Sequence, residues 1–89
     1  MLLFVRKEFQ DRIKSGEKPY EIRAGKRYRN VRPGDLFSIN GRFKVRVKKV
    51  EEFSNRRDFF RHPLVRPVFF RDCYPEAEGP YFVFHIERV

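Results

Sequence analysis

The feature that most restricts the fold is a dipeptide and the segment that follows it. Asn40-Gly41 is a hairpin signal, because both residues accept positive φ. From Arg42 to Val50 the chain then alternates, with Phe43, Val45 and Val47 on one face and Arg42, Lys44, Arg46 and Lys48 on the other. That period of two is a half-buried strand and fits no helix. Just upstream, Pro33-Gly34-Asp35 reads as a turn leading into a partner strand, Leu36 to Ile39. A chain with this hairpin at its centre is built on a sheet.

The flanking segments supply the rest. Leu2 to Val5 reads as a short buried strand, and Lys7 to Ser15 as a helix with Phe9 and Ile13 four apart on one face. Gly16 stands where a left-handed helix cap belongs. Lys18 to Arg23 looks extended, and Pro19 pushes it toward a sheet edge or a strand start. Residues 24–33 form a polar, basic loop. Between Arg56 and Asp72, Pro63 and Pro67 limit the chain to short helical turns that carry Phe59, Phe60, Leu64 and Val68 to the core. Residues 75–80 read as a turn. The last segment, Tyr81 to Val89, is apolar or aromatic on both faces, which places it inside a sheet rather than at an edge. The expected architecture is a single α+β domain over residues 1–89. It is a small, curved, mixed β-barrel of about five strands with one main helix and short helical turns.

Composition bounds the function. With 89 residues there is room for one small domain, and eleven Phe and four Tyr supply its core. No apolar run approaches the roughly 20 residues of a membrane-spanning helix. Met1 to Val5 meets Arg6-Lys7 too early for a signal peptide. The single Cys73 forms no internal disulfide, and with His62 and His85 it makes no zinc spacing, so no metal and no cofactor are expected. The expected location is intracellular, in the cytoplasm. The sequence has no Thr and only Ser15, Ser38 and Ser54, so hydroxyl nucleophiles are scarce. A net charge of +9 calls for a polyanionic partner, and nucleic acid fits better than a membrane because no basic amphipathic helix is present.

The most informative stretch is Gly16-Glu17-Lys18-Pro19-Tyr20-Glu21-Ile22-Arg23. If Tyr20 to Arg23 is extended, Glu21 and Arg23 leave the same face about 6.6 Å apart. Lys18 leaves from the helix–strand junction and can overhang them. The bland alternative is a surface ion pair, of little energetic consequence. The pattern G-x-K-x-x-E-x-R resembles the signature of the ASCH domains, a branch of the PUA-like β-barrels. The preceding strand and helix, Gly34-Asp35 before the next strand, the Leu36 to Val50 hairpin, and Asp72-Cys73-Tyr74-Pro75 before an aromatic last strand extend the resemblance over nearly the whole chain.

The resemblance implies binding of RNA or a modified nucleoside in a cleft lined by Lys18, Glu21 and Arg23. One branch of the family resembles 4-acetylcytidine amidohydrolases, and another has been linked to RNA cleavage. The alternative function is therefore a small hydrolase acting on RNA or an acylated cytidine, with Lys18 as base and Glu21 as its acidic partner. Glu21, however, stands where that amidohydrolase branch has a threonine, and the chain has none.

A second candidate surface is the loop carrying Arg23, Lys26, Arg27, Arg29 and Arg32, with Tyr28 among them and no acid. Cations around one aromatic suit a phosphate track with a stacking platform, although a solvated charge run is the plainer reading. The outer face Arg42, Lys44, Arg46 and Lys48 reads as protection of an edge strand. Arg56, Arg57, Arg61 and Arg66 read as surface residues, His62 as a turn residue, His85 as a core or cross-strand residue, and Cys73 as a small buried hydrophobe. Glu76 and Glu78 read as turn acids. Tyr74, Tyr81 and His85 fit either a cleft or the core. A basic face docked on an acidic protein is the remaining class. Nothing in the sequence sets an oligomeric state.

Overall fold

Asn40 and Gly41 turn the chain with φ of +53° and +71°, and the Arg42 N–H closes the turn on the Ile39 carbonyl at 2.9 Å. The computed structural model describes residues 1–65 and 78–89. On either side of this turn run β3 (Leu36–Ile39) and β4 (Phe43–Phe53), antiparallel, with Ile39 opposite Phe43 and Phe37 opposite Val45. The turn thus takes in Arg42, and the second strand starts one residue later than the alternation indicated and runs on to Phe53. Val45 and Val47 are buried while Lys44, Arg46 and Lys48 are exposed, as period two demands. The alternation stops at Lys48-Lys49, where both side chains are exposed.

The other elements are β1 (Leu2–Leu3), α1 (Lys7–Ser15), β2 (Tyr20–Ala24), a 3₁₀ turn (Lys26–Tyr28), α2 (Arg56–Phe59) and β5 (Tyr81–Arg88). β1 lies parallel to β3, with Leu2 opposite Ser38. It stops early because the Asn40 side chain takes over its backbone groups: Oδ1 accepts from the Val5 N–H at 2.9 Å and Nδ2 donates to the Val5 carbonyl at 3.0 Å. α1 ends as its glycine predicts, with Gly16 at φ +85° and its N–H on the Ile13 carbonyl. Asn55 caps α2 by accepting from the Asp58 N–H at 2.9 Å.

The strand order is β1-β3-β4-β5-β2. This is the expected mixed five-stranded sheet with one main helix, but among the described residues it is open rather than a closed barrel. Its edges are β1, only two residues long, and β2, where Pro19 foreshadowed an edge. β5 is interior, and its four consecutive buried residues, Tyr81 to Phe84, answer to cover on both faces.

The chain divides into two compact units, Met1–Glu21 with Val31–Val50 and Phe84–Val89, and Ile22–Asn30 with Glu51–Val83. In the first, Leu3, Ile13, Phe37, Ile39, Val45 and Ile86 are buried, and Phe37 meets Phe84 edge to face at 5.2 Å. In the second, Phe59 stacks on Tyr81 at 4.9 Å and packs against Phe53 at 5.7 Å. Phe59 and Val65 are fully buried, whereas Phe60 and Leu64, expected in the core, are half-buried. Arg66, Val68, the segment Asp72-Cys73-Tyr74-Pro75 and Glu76 lie outside the described residues.

Candidate functional site

The motif begins at the C-terminus of α1. The Ser15 hydroxyl donates to the Arg12 carbonyl at 3.1 Å, and the Lys18 N–H reaches the same carbonyl at 3.0 Å, so the chain doubles back on its own last turn. The Lys18 side chain is thereby carried inward. It is only 5% exposed, with Nζ 3.3 Å from Glu21 Oε1. The ammonium also lies 5.0 Å from the centre of the Phe9 ring and 5.1 Å from that of Tyr20. Two ring faces and one carboxylate replace the water that an exposed lysine keeps.

Glu21 is 6% exposed and Arg23 8%. Among the described residues, Lys18, Glu21 and Arg23 are the only buried charged side chains, and the one other buried polar residue is Gln10. This differs from the surface ion pair that spacing alone allows. Burial makes the pair a high-stakes contact, because a charge removed from water must be matched or it destabilises the fold.

Within the first unit Lys18 lines a cavity of about 230 Å³, with Gly16, Pro19, Lys48, Glu87 and Arg88 among the other lining residues. Lys48 and Glu87 approach each other to 4.0 Å on its wall. Sites for drug-sized ligands occupy roughly 300–1,000 Å³, so this hollow has room for a single base or phosphate group.

In the loop, Lys26, Arg27 and Arg29 are exposed in the second unit, and Arg32 is exposed in the first. The Arg32 N–H donates to Asp35 Oδ2 at 2.8 Å, which fixes the turn but leaves the guanidinium outside. Tyr28 departs from its expected role as a stacking platform. Its ring is 6% exposed, packed edge-on against Phe82 at 6.3 Å and covered by the Arg27 guanidinium at 5.2 Å. A ring used in a core has no face left for a base. The reason is the 3₁₀ turn, which points residues 26 and 27 outward and the third inward.

One arrangement had no signal in the sequence. His62 Nε2 lies 2.9 Å from Glu51 Oε2, and His62 Nδ1 accepts from the Leu64 N–H at 3.1 Å. Since Nδ1 is an acceptor, the ring proton sits on Nε2 and is donated to Glu51. The turn role expected of His62 is present, but its carboxylate partner comes from β4, eleven residues upstream. His85 is half-buried on β5, and Tyr81 belongs to the core of the second unit.

No known family matches the chain, and neither does any curated protein. Solved structures that share its fold include the following two. Hypothetical protein PH0355, in a crystal structure, superposes with a TM-score of 0.79 at 22% identity over 99% of this chain and 97% of its own. Protein PF0455 from Pyrococcus furiosus, solved by NMR, gives 0.65 at 25% identity over 99% and 96%.

Proposed function

We propose that this chain is an ASCH-type, PUA-like domain that binds RNA or a modified nucleoside. Lys18, Glu21 and Arg23 form its recognition site, and Lys26, Arg27, Arg29 and Arg32 lie along the phosphate backbone. The observation that carries the reading is the burial of the motif. Three charged side chains within one short segment are the only charges taken out of water in the described chain. A buried ion pair is weak evidence for stability, since apolar residues of similar size often do as well. A small domain that keeps such charges has a chemical use for them. An arginine fork suits a phosphate or a base edge, a glutamate accepts from an exocyclic amino group, and a lysine supplies a point charge.

A second reading rests on the 3.3 Å contact between Lys18 Nζ and Glu21 Oε1. A lysine and a carboxylate in hydrogen-bond reach are the parts of an acid–base pair, and the substrate would be RNA or an acylated cytidine. One experiment addresses both readings. Anisotropy of a labelled stem-loop RNA compares the wild type with Lys18→Ala/Arg23→Ala at two salt concentrations, while acetate release from N4-acetylcytidine is followed in parallel. Loss beyond what two charges predict supports the cleft, and equal binding by both proteins overturns it. Acetate released by the wild type and not by Lys18→Ala turns the binding site into an active site.

A further inference from the structure

A second concave surface lies in the first unit, built from residues other than the motif. One stripe of α1, Lys7, Gln10, Asp11 and Lys14, runs roughly 10 Å along the helix axis. With Arg42, Phe43 and Arg88 it lines a hollow of about 480 Å³. An adjoining hollow of about 400 Å³ shares Lys7, Gln10 and Arg42 and adds Phe4, Val5 and Asn40. The two form one groove between the helix and the β3–β4 turn.

Three features of this groove point to one kind of ligand. First, its charge is one-sided, with Lys7, Lys14, Arg42 and Arg88 against Asp11. Three other cations of the first unit have an acid beside them: Arg6 has Glu8 at 3.8 Å, Arg12 has Glu17 at 3.6 Å, and Lys48 has Glu87 at 4.0 Å, whereas Arg32, Lys44, Arg46 and Lys49 stand exposed like the groove cations. Among the described residues Lys7, Lys14 and Arg42 have no carboxylate within that range. Second, the floor is rigid and polar. Gln10 is 9% exposed, with Oε1 accepting from Asn40 Nδ2 at 2.8 Å, and Asn40 is itself tied to the Val5 backbone. Gln10 Nε2 has no hydrogen-bond partner among the described residues, so a donor remains on a side chain that lines both hollows. Third, Phe4 stands on the rim with 74% of its surface exposed, the most exposed large hydrophobic residue described.

We infer that this groove holds a single-stranded stretch of RNA, with phosphates on Lys7, Lys14, Arg42 and Arg88 and a base stacked on Phe4. An exposed ring beside a line of cations is what unpaired nucleic acid uses, whereas a duplex keeps its base faces stacked on one another. This groove shares Arg88 with the wall of the Lys18 cavity but none of the motif residues, and the proposal does not depend on the motif.

The test uses a fluorescein-labelled 12-nucleotide oligouridylate and the intact chain. Lys7→Ala/Lys14→Ala/Arg42→Ala alters only exposed side chains, so the fold is retained and circular dichroism checks this. Each lost phosphate contact lowers the slope of log K against log salt by about 0.7 for a single strand, so the triple variant should lower it by roughly 2. Phe4→Ala should weaken binding at least about fivefold, with the slope unchanged, because stacking is not electrostatic. A triple variant with the wild-type slope overturns the proposal. So does an unaffected Phe4→Ala variant combined with equal displacement by polyglutamate, which would assign the groove to an acidic protein. Lys18→Ala/Arg23→Ala separates the two sites: loss there with wild-type behaviour in the groove variants leaves the cleft and removes the groove, and the reverse result does the opposite.

Discussion

Lys18 and Lys26 belong to the same basic stretch of chain and carry the same group, yet the fold treats them oppositely. Lys18 is 5% exposed, held between two rings and a carboxylate, whereas Lys26 is exposed on a 3₁₀ turn. An exposed cation costs the fold almost nothing and acts at a distance, through the field it adds and the counterions it releases on binding. A buried one constrains every neighbour, acts only at contact, and discriminates by geometry. The same residue type is thus a solvated charge in one place and a defined contact in the other.

The comparison breaks most visibly at Lys18. Lys18→Ala leaves the Glu21 carboxylate buried without that ammonium and is expected to cost about 3–5 kcal/mol, read as a lowered urea midpoint. A loss below about 1 kcal/mol would mean that the pair is wet and the contrast with Lys26 empty. Replacing the pair together sharpens the point. Lys18→Met/Glu21→Gln removes both charges, and its stability should return to within about 1–2 kcal/mol of wild type while RNA affinity stays low. The smallest stability change is expected at the loop. Lys26→Ala/Arg29→Ala should alter folding by no more than about 0.5 kcal/mol per residue. The same variant should reduce the salt slope of single-stranded RNA binding by roughly 1.4.

Much of the scaffold was legible locally. Asn40-Gly41 set the hairpin, Gly16 ended α1, Pro19 marked an edge strand, and the doubly apolar last segment lay inside the sheet. Each of these depends on the backbone preferences of one or two residues or on a period of two. The turn itself was read one residue too short, because Arg42 bonds back to Ile39 before the strand begins. Burial of the aromatics was harder to read. Phe4 is exposed on the rim of a groove and Tyr28 is core, the reverse of what a cationic loop with a central tyrosine suggested. Nothing local distinguishes the two rings. Their fates follow from which strand or turn faces them.

By itself, the sequence determined the α+β class, the place of the hairpin and the limits of α1, since all of these are written in short-range patterns. The tertiary structure decided that the sheet stays open among the described residues, that Lys18, Glu21 and Arg23 are its buried charges, and that His62 meets Glu51. Those outcomes depend on which distant segments cover one another, and burial changes the energetics of a charge far more than any neighbour along the chain does.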